Sequence, residues 1–378
     1  MKKHLLFITA NTHVPWGGSE ELWSKTATHL AQAGKYKISA LAKNWQPRPK
    51  HIHQIIQAGG HFESLSSSFT RRIITSIKAR VFNIHKSSKA VPRLLKKINP
   101  DFVVLSLGSQ LQGAGWMSLL NDHNIPYANI IQLASELQWT DEGTLRKLSN
   151  GYQNARHNFF VSKHNLNFTT RQMAIPMKNA SVVRNPFKVT GKVISFPSTE
   201  NGYQLACPAS YVAFHKGQDV LLELFAQQKW QERPISLNLY GKGMHEAYFK
   251  RFIEFKQLNK VHVRGFVNDI DELWRNNHAI ILASRMEGMP LALIEALLSG
   301  RTAIVPDVAG NAECIQDNVT GFIAKAPTLE LLDEALERAW QNRQDWETIG
   351  QNAAKEARKV IPKKPVEVFA EQLTKLID

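Results

Sequence analysis

Two glutamates, Glu287 and Glu295, stand in the stretch EGMPLALIEALLSG, residues 287–300, which is otherwise almost entirely apolar. Pro290 suits the first position of a helix and Gly300 a place just past its end, so PLALIEALLS reads as a helix and the residues before it as a loop. A helix apolar on nearly every face is buried, and an ionised Glu295 inside it is costly unless something hydrogen-bonds it. A ligand's hydroxyl groups can do that. At the helix start the backbone amides of Gly288, Met289 and Leu291 point outward, where the helix dipole favours an anion such as phosphate. Glu287 lies on one side of these amides. Glu295 lies on the other, five residues past Pro290 and about 7.5 Å along the axis. Carboxylate, anion site and carboxylate complement a sugar, a diphosphate and a ribose. The plain alternative makes Glu295 a packing-edge residue and Glu287 a first-turn acid.

The elements around this segment decide where it points. AIILAS, just before it, reads as a buried strand, so the unit is strand, loop, helix. The same alternation runs along the whole chain. KHLLFITAN, KISALAK, DFVVLSL, YANIIQL and HNFFVS are strand-like in the first half, and YQLACPAS, ISLNLYG, KVHVRGF, AIILAS and TAIVPD in the second, with helix-like segments between them. Strands alternating with helices predict parallel α/β sheets covered on both faces. The linker is RNPFKVTGKVISFPSTENG, rich in turn residues. We therefore expect two doubly wound Rossmann-like domains, 1–187 and 188–360, facing a central cleft, with a helix over 361–378 crossing back to the first. Such sheets bind ligands at the carboxyl ends of their strands.

At 378 residues, with 43% hydrophobic and 21% charged residues, the chain is long enough for two cores and is not of disordered composition. Its two cysteines, Cys207 and Cys314, make neither a disulfide framework nor a zinc site, so a reducing, cytoplasmic setting is expected. The apolar run after Met1 is too short for a signal peptide and reads as a first strand. The net charge of +15 favours an anionic partner. Much of it lies in residues 71–97, where isoleucines recur at helical spacing among lysines and arginines. That is the pattern of a helix lying on an anionic membrane surface, or of one packing on a sheet with a solvated basic back. Aromatic residues are too sparse there for a nucleic-acid surface, and none is expected to bind.

E-G-M-P-L-A-L-I-E, followed by V-A-G-N-A-E and N-V-T-G-F-I-A, resembles the signature of retaining GT-B glycosyltransferases of sequence family 4. P-W-G-G-S-E is similar to their glycine loop, A-F-H-K-G-Q-D-V-L-L to their phosphate-binding lysine region, Y-G-K-G and V-R-G-F-V to their strand ends, and V-V-R-N-P to their linker. The resemblance implies a nucleotide-sugar donor and a glycan or lipid-linked acceptor. It implies catalytic roles for Glu287, beside the sugar, and Lys216, on the diphosphate. Glu295 would hold the ribose, Gly288, Met289, Pro290 and Leu291 the distal phosphate, and Val267 the base. Gly17 and Gly18 would let backbone approach a phosphate closely.

The pattern also departs from the family's. Where an arginine commonly precedes the lysine, Ser210 and Tyr211 stand, leaving Tyr211 as a donor contact and Lys216, with His215 or Arg285, to neutralise the diphosphate. Gln132 occupies the place of a family histidine; it cannot take a proton at neutral pH but can still bind a sugar hydroxyl, as can Glu20. Asp269-Ile-Asp271 spells a metal-binding DxD of another fold, yet it opens a helix-like segment and suits capping. Neither a metal nor a cofactor is expected. A nucleotide-sugar epimerase of the same architecture and a non-catalytic binder of anionic membranes are the rival readings.

Overall fold

The computed structural model describes residues 2–12, 16–65 and 90–378. The chain forms two compact units, Met1–Pro186 with Lys364–Asp378, and Phe187–Lys363.

The first unit is a parallel sheet of seven strands: β1 (His4–Thr9), β2 (Lys37–Lys43), β3 (His61–Leu65), β4 (Phe102–Leu107), β5 (Tyr127–Ile131), β6 (His157–Phe160) and β7 (Ala180–Val182). Their order across the sheet is β3-β2-β1-β4-β5-β6-β7, so the direction of winding reverses between β1 and β4. Successive side chains of a strand point to opposite faces, and β1 divides accordingly. Leu6 and Ile8 enter one core with Val91, Leu95 and Trp116; Leu5 and Phe7 enter the other with Leu22, Trp23 and Phe369. Both faces are thus covered, the second partly by the terminal helix Pro365–Ile377, whose Phe369 meets Phe159 edge-on at 5.0 Å.

Much of the basic segment, with its isoleucines between positions 73 and 84, lies outside the described residues. Its described end, the helix Ala90–Ile98, buries Val91, Leu95 and Ile98 and exposes Arg93, Lys96 and Lys97. This part follows the packing alternative, a sheet-covering helix with a solvated basic back.

The second unit has six parallel strands: β8 (Tyr203–Pro208), β9 (Ile235–Tyr240), β10 (Val261–Gly265), β11 (Ala279–Ile281), β12 (Thr302–Pro306) and β13 (Phe322–Ala324). Their order is β10-β9-β8-β11-β12-β13, and the reversal falls between β8 and β11. The apolar helix spans Leu291–Leu298, with Pro290 just before it at the N-cap and Gly300 beyond it at φ +78°. Leu293, Ile294, Leu297 and Leu298 are buried, each contributing about 1.5–3 kcal/mol of transfer free energy. The helix Trp346–Val360 closes over it at Gly350, where a Cβ would lie 2.2 Å from the Gly300 carbonyl oxygen. Asp269 accepts the amide of Glu272 at 2.9 Å and caps the helix Ile270–Arg275, the role expected from its place before a helix.

Candidate active site

Open parallel sheets bind ligands at the carboxyl ends of strands where the winding reverses. In the second unit, that place lies beyond β8 and β11. The loop after β8 turns through the short helix Ala213–Lys216, and the loop after β11 carries Glu287. Lys216 Nζ donates to Glu287 Oε1 at 2.6 Å. The carboxylate is nearly buried, at 7% exposure, and the lysine is half-buried.

Two features hold the lysine there. Gly217 follows it at φ +66°, and a Cβ on it would lie 1.9 Å from the Ala283 carbonyl oxygen, so only glycine lets the two loops touch. Arg285 then straps them together. Its amide donates to the His215 carbonyl (2.9 Å), and its guanidinium donates to the Ala213 carbonyl (3.0 Å) and, through two bonds of 2.9 and 2.7 Å, to Asp219. Paired with Asp219, Arg285 braces the lysine turn. His215 is pushed below the ordinary histidine range by burial and by the Lys216 charge beside it. Burial also pushes the neighbouring Cys207 thiol up to about 12, which keeps it protonated and unreactive.

Glu295 is buried at 6% exposure, and its Oε1 accepts the backbone amide of Lys188 at 3.0 Å. The hydrogen bond expected from a ligand is thus in part supplied by the chain itself. Gly288, Met289, Pro290 and Leu291 lead into the helix as expected, with the Gly288 carbonyl anchored by the Gly310 amide at 2.9 Å. The first amides of such a helix have no intrahelical acceptor. Val267 follows β10 and is half-buried, next to the exposed Phe266.

The Tyr211 side chain is fully buried; its hydroxyl donates to the Leu239 carbonyl (2.8 Å) and accepts the Gly265 amide (3.2 Å), tying β9 to β10. Burial pushes this phenol up to about 12.

The remaining expected residues belong to the first unit. Gly17 is extended, at φ −152°, and a Cβ there would meet only Ser19 Oγ at 3.9 Å, so the fold itself does not demand glycine. Gly18 opens the turn Gly18–Glu20. Glu20 is 2% exposed and faces inward: it accepts from Trp23 Nε1 (2.7 Å), Ser19 Oγ (3.1 Å) and Asn11 Nδ2 (3.3 Å). Burial raises its pKa, and these neutral donors only partly oppose the shift. It serves the glycine loop as an internal post. Gln132 is buried in a reciprocal amide pair with Asn185, of 2.8 and 3.3 Å. The sequence reading missed the Arg285–Asp219 brace and the role of Gly217. The available signal was Gly217 itself, directly after the lysine.

Among the described residues no three His, Cys, Asp or Glu side chains converge as a metal centre requires. No described helix is long and apolar enough to cross a membrane.

Comparison with known proteins fits this geometry. The Anabaena protein HepE, solved in complex with UDP and glucose, matches with a TM-score of 0.74 and 16% identity over 99% of this chain and 100% of its own. A glycosyltransferase from Rickettsia africae matches with a TM-score of 0.75, also at 16% identity, over 100% and 98%. The protein has the α/β fold of GT-B glycosyltransferases, two Rossmann-like units in one chain. Residues 198–356, within its second unit, match the family Glycosyl transferases group 1. Over 105 residues the sequence is 30% identical to the N,N'-diacetylbacillosaminyl-diphospho-undecaprenol alpha-1,3-N-acetylgalactosaminyltransferase of Campylobacter jejuni. That match spans 28% of each chain, so it covers less than a third of the relative's length.

Proposed function

We propose that the protein is a retaining glycosyltransferase of sequence family 4 that moves a sugar from a nucleotide-sugar donor to a hydroxyl of a lipid-linked glycan precursor. The observation that carries this reading is the Lys216–Glu287 pair at the β8/β11 reversal, beside the start of the Leu291–Leu298 helix. As the bond from the anomeric carbon to the diphosphate breaks, negative charge grows on the leaving phosphate. Lys216 and the amides from Gly288 to Leu291 stabilise that charge where it develops. Glu287, held by Lys216 at rest, orients the sugar hydroxyls, and Glu295 takes a ribose hydroxyl. Since the lysine and the helix start supply the positive charge, we propose catalysis without a metal. Retention at the anomeric carbon rests on the E-x7-E resemblance. The UDP complex of the Anabaena protein makes uridine the first base to test, and the diphospho-undecaprenol in the Campylobacter relative's name points to a lipid-linked acceptor. With such an acceptor, and with Arg93, Lys96 and Lys97 exposed, we propose that the protein works at the cytoplasmic face of a membrane.

The test is incubation with a panel of radiolabelled nucleotide sugars and a bacterial lipid extract, with and without a chelator. Transfer of label to lipid, undiminished by the chelator, supports the reading. Isomerisation of the donor without transfer, or no reaction with any donor, overturns it.

A further inference from the structure

The first unit holds a second group of chemistry-bearing side chains that the donor site does not use. At the carboxyl end of β2, Lys43 Nζ lies 3.8 Å from the centre of the Trp45 ring and donates to the Thr12 carbonyl at 3.2 Å. The Arg48 guanidinium lies over the Phe62 ring at 5.2 Å. These four residues line one narrow cavity with Asn11 and Glu20. Among the described residues neither cation has a carboxylate partner, whereas Lys25, Lys97 and Arg146 of the same unit each do. Glu20 forms no ion pair with either, its oxygens accepting from Asn11, Ser19 and Trp23.

A cation resting on an aromatic ring is held in place without losing its charge. Two such cations at the ligand end of a parallel sheet form a preorganised positive site. An arginine stacked on a ring keeps the edge of its fork free, and that edge matches two phosphate oxygens. The cavity is narrow, so the anion sits at its mouth, where Arg48 is exposed and Lys43 half-buried. The rings of Trp45 and Phe62 offer apolar surface to whatever carries the anion.

We propose that Lys43 and Arg48 form the seat for the phosphate or diphosphate of the acceptor. This rests on the transferase reading above, which supplies the acceptor; the phosphate belongs either to a lipid-linked glycan or to a soluble sugar phosphate. The experiment compares the wild type with the double variant Lys43→Gln/Arg48→Gln, using Lys216→Gln as the donor-site control. Phosphatidylcholine vesicles with and without undecaprenyl diphosphate probe the lipid source, and inorganic pyrophosphate with saturating UDP probes the soluble one. The double variant is expected to bind at least about tenfold more weakly to one probe, the loss expected from removing charge-assisted hydrogen bonds. Its UDP affinity and melting temperature stay unchanged, while Lys216→Gln shows the opposite pattern. Weakening toward the vesicles assigns a lipid-linked phosphate; weakening toward pyrophosphate alone assigns a soluble one. Equal binding by variant and wild type, or binding of neither probe by the wild type, overturns the proposal. Failure of the wild type to bind UDP defeats the donor reading separately, and the vesicle result still stands on its own.

Discussion

Lys216 and Glu287, 71 residues apart in the chain, are joined by a hydrogen-bonded ion pair of 2.6 Å between loops that follow neighbouring strands of the second unit. Glu287 is the more buried partner, so the pair is part of the fold as well as part of the site. Lys216→Ala is expected to lower kcat by about 10²–10³, the cost of removing one group that stabilises developing charge. It also leaves a buried carboxylate without its cation, which lowers stability by about 1–3 kcal/mol. Initial rates with a nucleotide sugar and a melting curve check both. A variant with normal kcat would remove Lys216 from the chemistry.

Glu295 separates structural from ligand roles. Glu295→Gln keeps a carbonyl oxygen for the Lys188 amide, so the melting temperature is expected to stay near that of the wild type while the donor KM rises about tenfold, the worth of a charged hydrogen bond to a ribose. Glu295→Ala is expected to lose stability too. Equal donor KM values for Glu295→Gln and the wild type would show that the carboxylate serves the linker alone.

In the proposed reaction Arg285 would act through Lys216, as a positioning residue. Lysine cannot reproduce its two-pronged bond to Asp219. Arg285→Lys is therefore expected to lower kcat about tenfold with little change in donor KM, since an error in placement is felt mainly in the transition state. Asp219→Asn, which keeps an acceptor oxygen but loses the charge, is expected to be milder. A rise in KM alone would point to direct contact with the donor.

Gly217 and Gly59 both have positive φ, but only Gly217 is crowded; a Cβ on Gly59 meets nothing within 4 Å. Gly59→Ala is expected to cost about 1–2 kcal/mol for the left-handed backbone alone. Gly217→Ala is expected to cost more and to displace Lys216. Urea denaturation of the two variants tests the difference, and equal losses would show that the loops can part cheaply.

Acid stability should report Glu21. Burial pulls its pKa up, but the hydrogen bond from His51 and the Lys25 charge outweigh it and hold the carboxyl at about 2, below its ordinary 4.5. Between those values the unfolded chain binds more protons than the folded one. The contribution is therefore fully present above pH 4.5 and is lost as the pH falls toward 2, reaching about 3 kcal/mol at most. Glu21→Gln is expected to flatten the fall in urea midpoint between about pH 5 and about pH 3. A variant as acid-sensitive as the wild type would assign the loss to other carboxyls.

What the amino-acid sequence determined by itself was local. Apolar runs bounded by turn residues marked ten of the strands, Pro290 and Gly300 bracketed the helix between them, and Asp269 announced a cap, because each of these depends on a few consecutive residues. β3 escaped notice because HFESL carries a charge mid-strand, and β7 and β13 because their three residues do not sit in a longer apolar run, as the three of β11 do in AIILAS. Tertiary structure alone decided which polar groups meet. In the second unit the crossover that sets β8 beside β11 brings Lys216 to Glu287, and the pairing of β8, β9 and β10 turns Tyr211 inward between strand ends; in the first unit the order β5-β6-β7 brings Gln132 to Asn185. The reason is one of range: a periodicity says which face of an element is buried, but a hydrogen-bond partner is named only when the sheet order brings distant loops within about 3 Å.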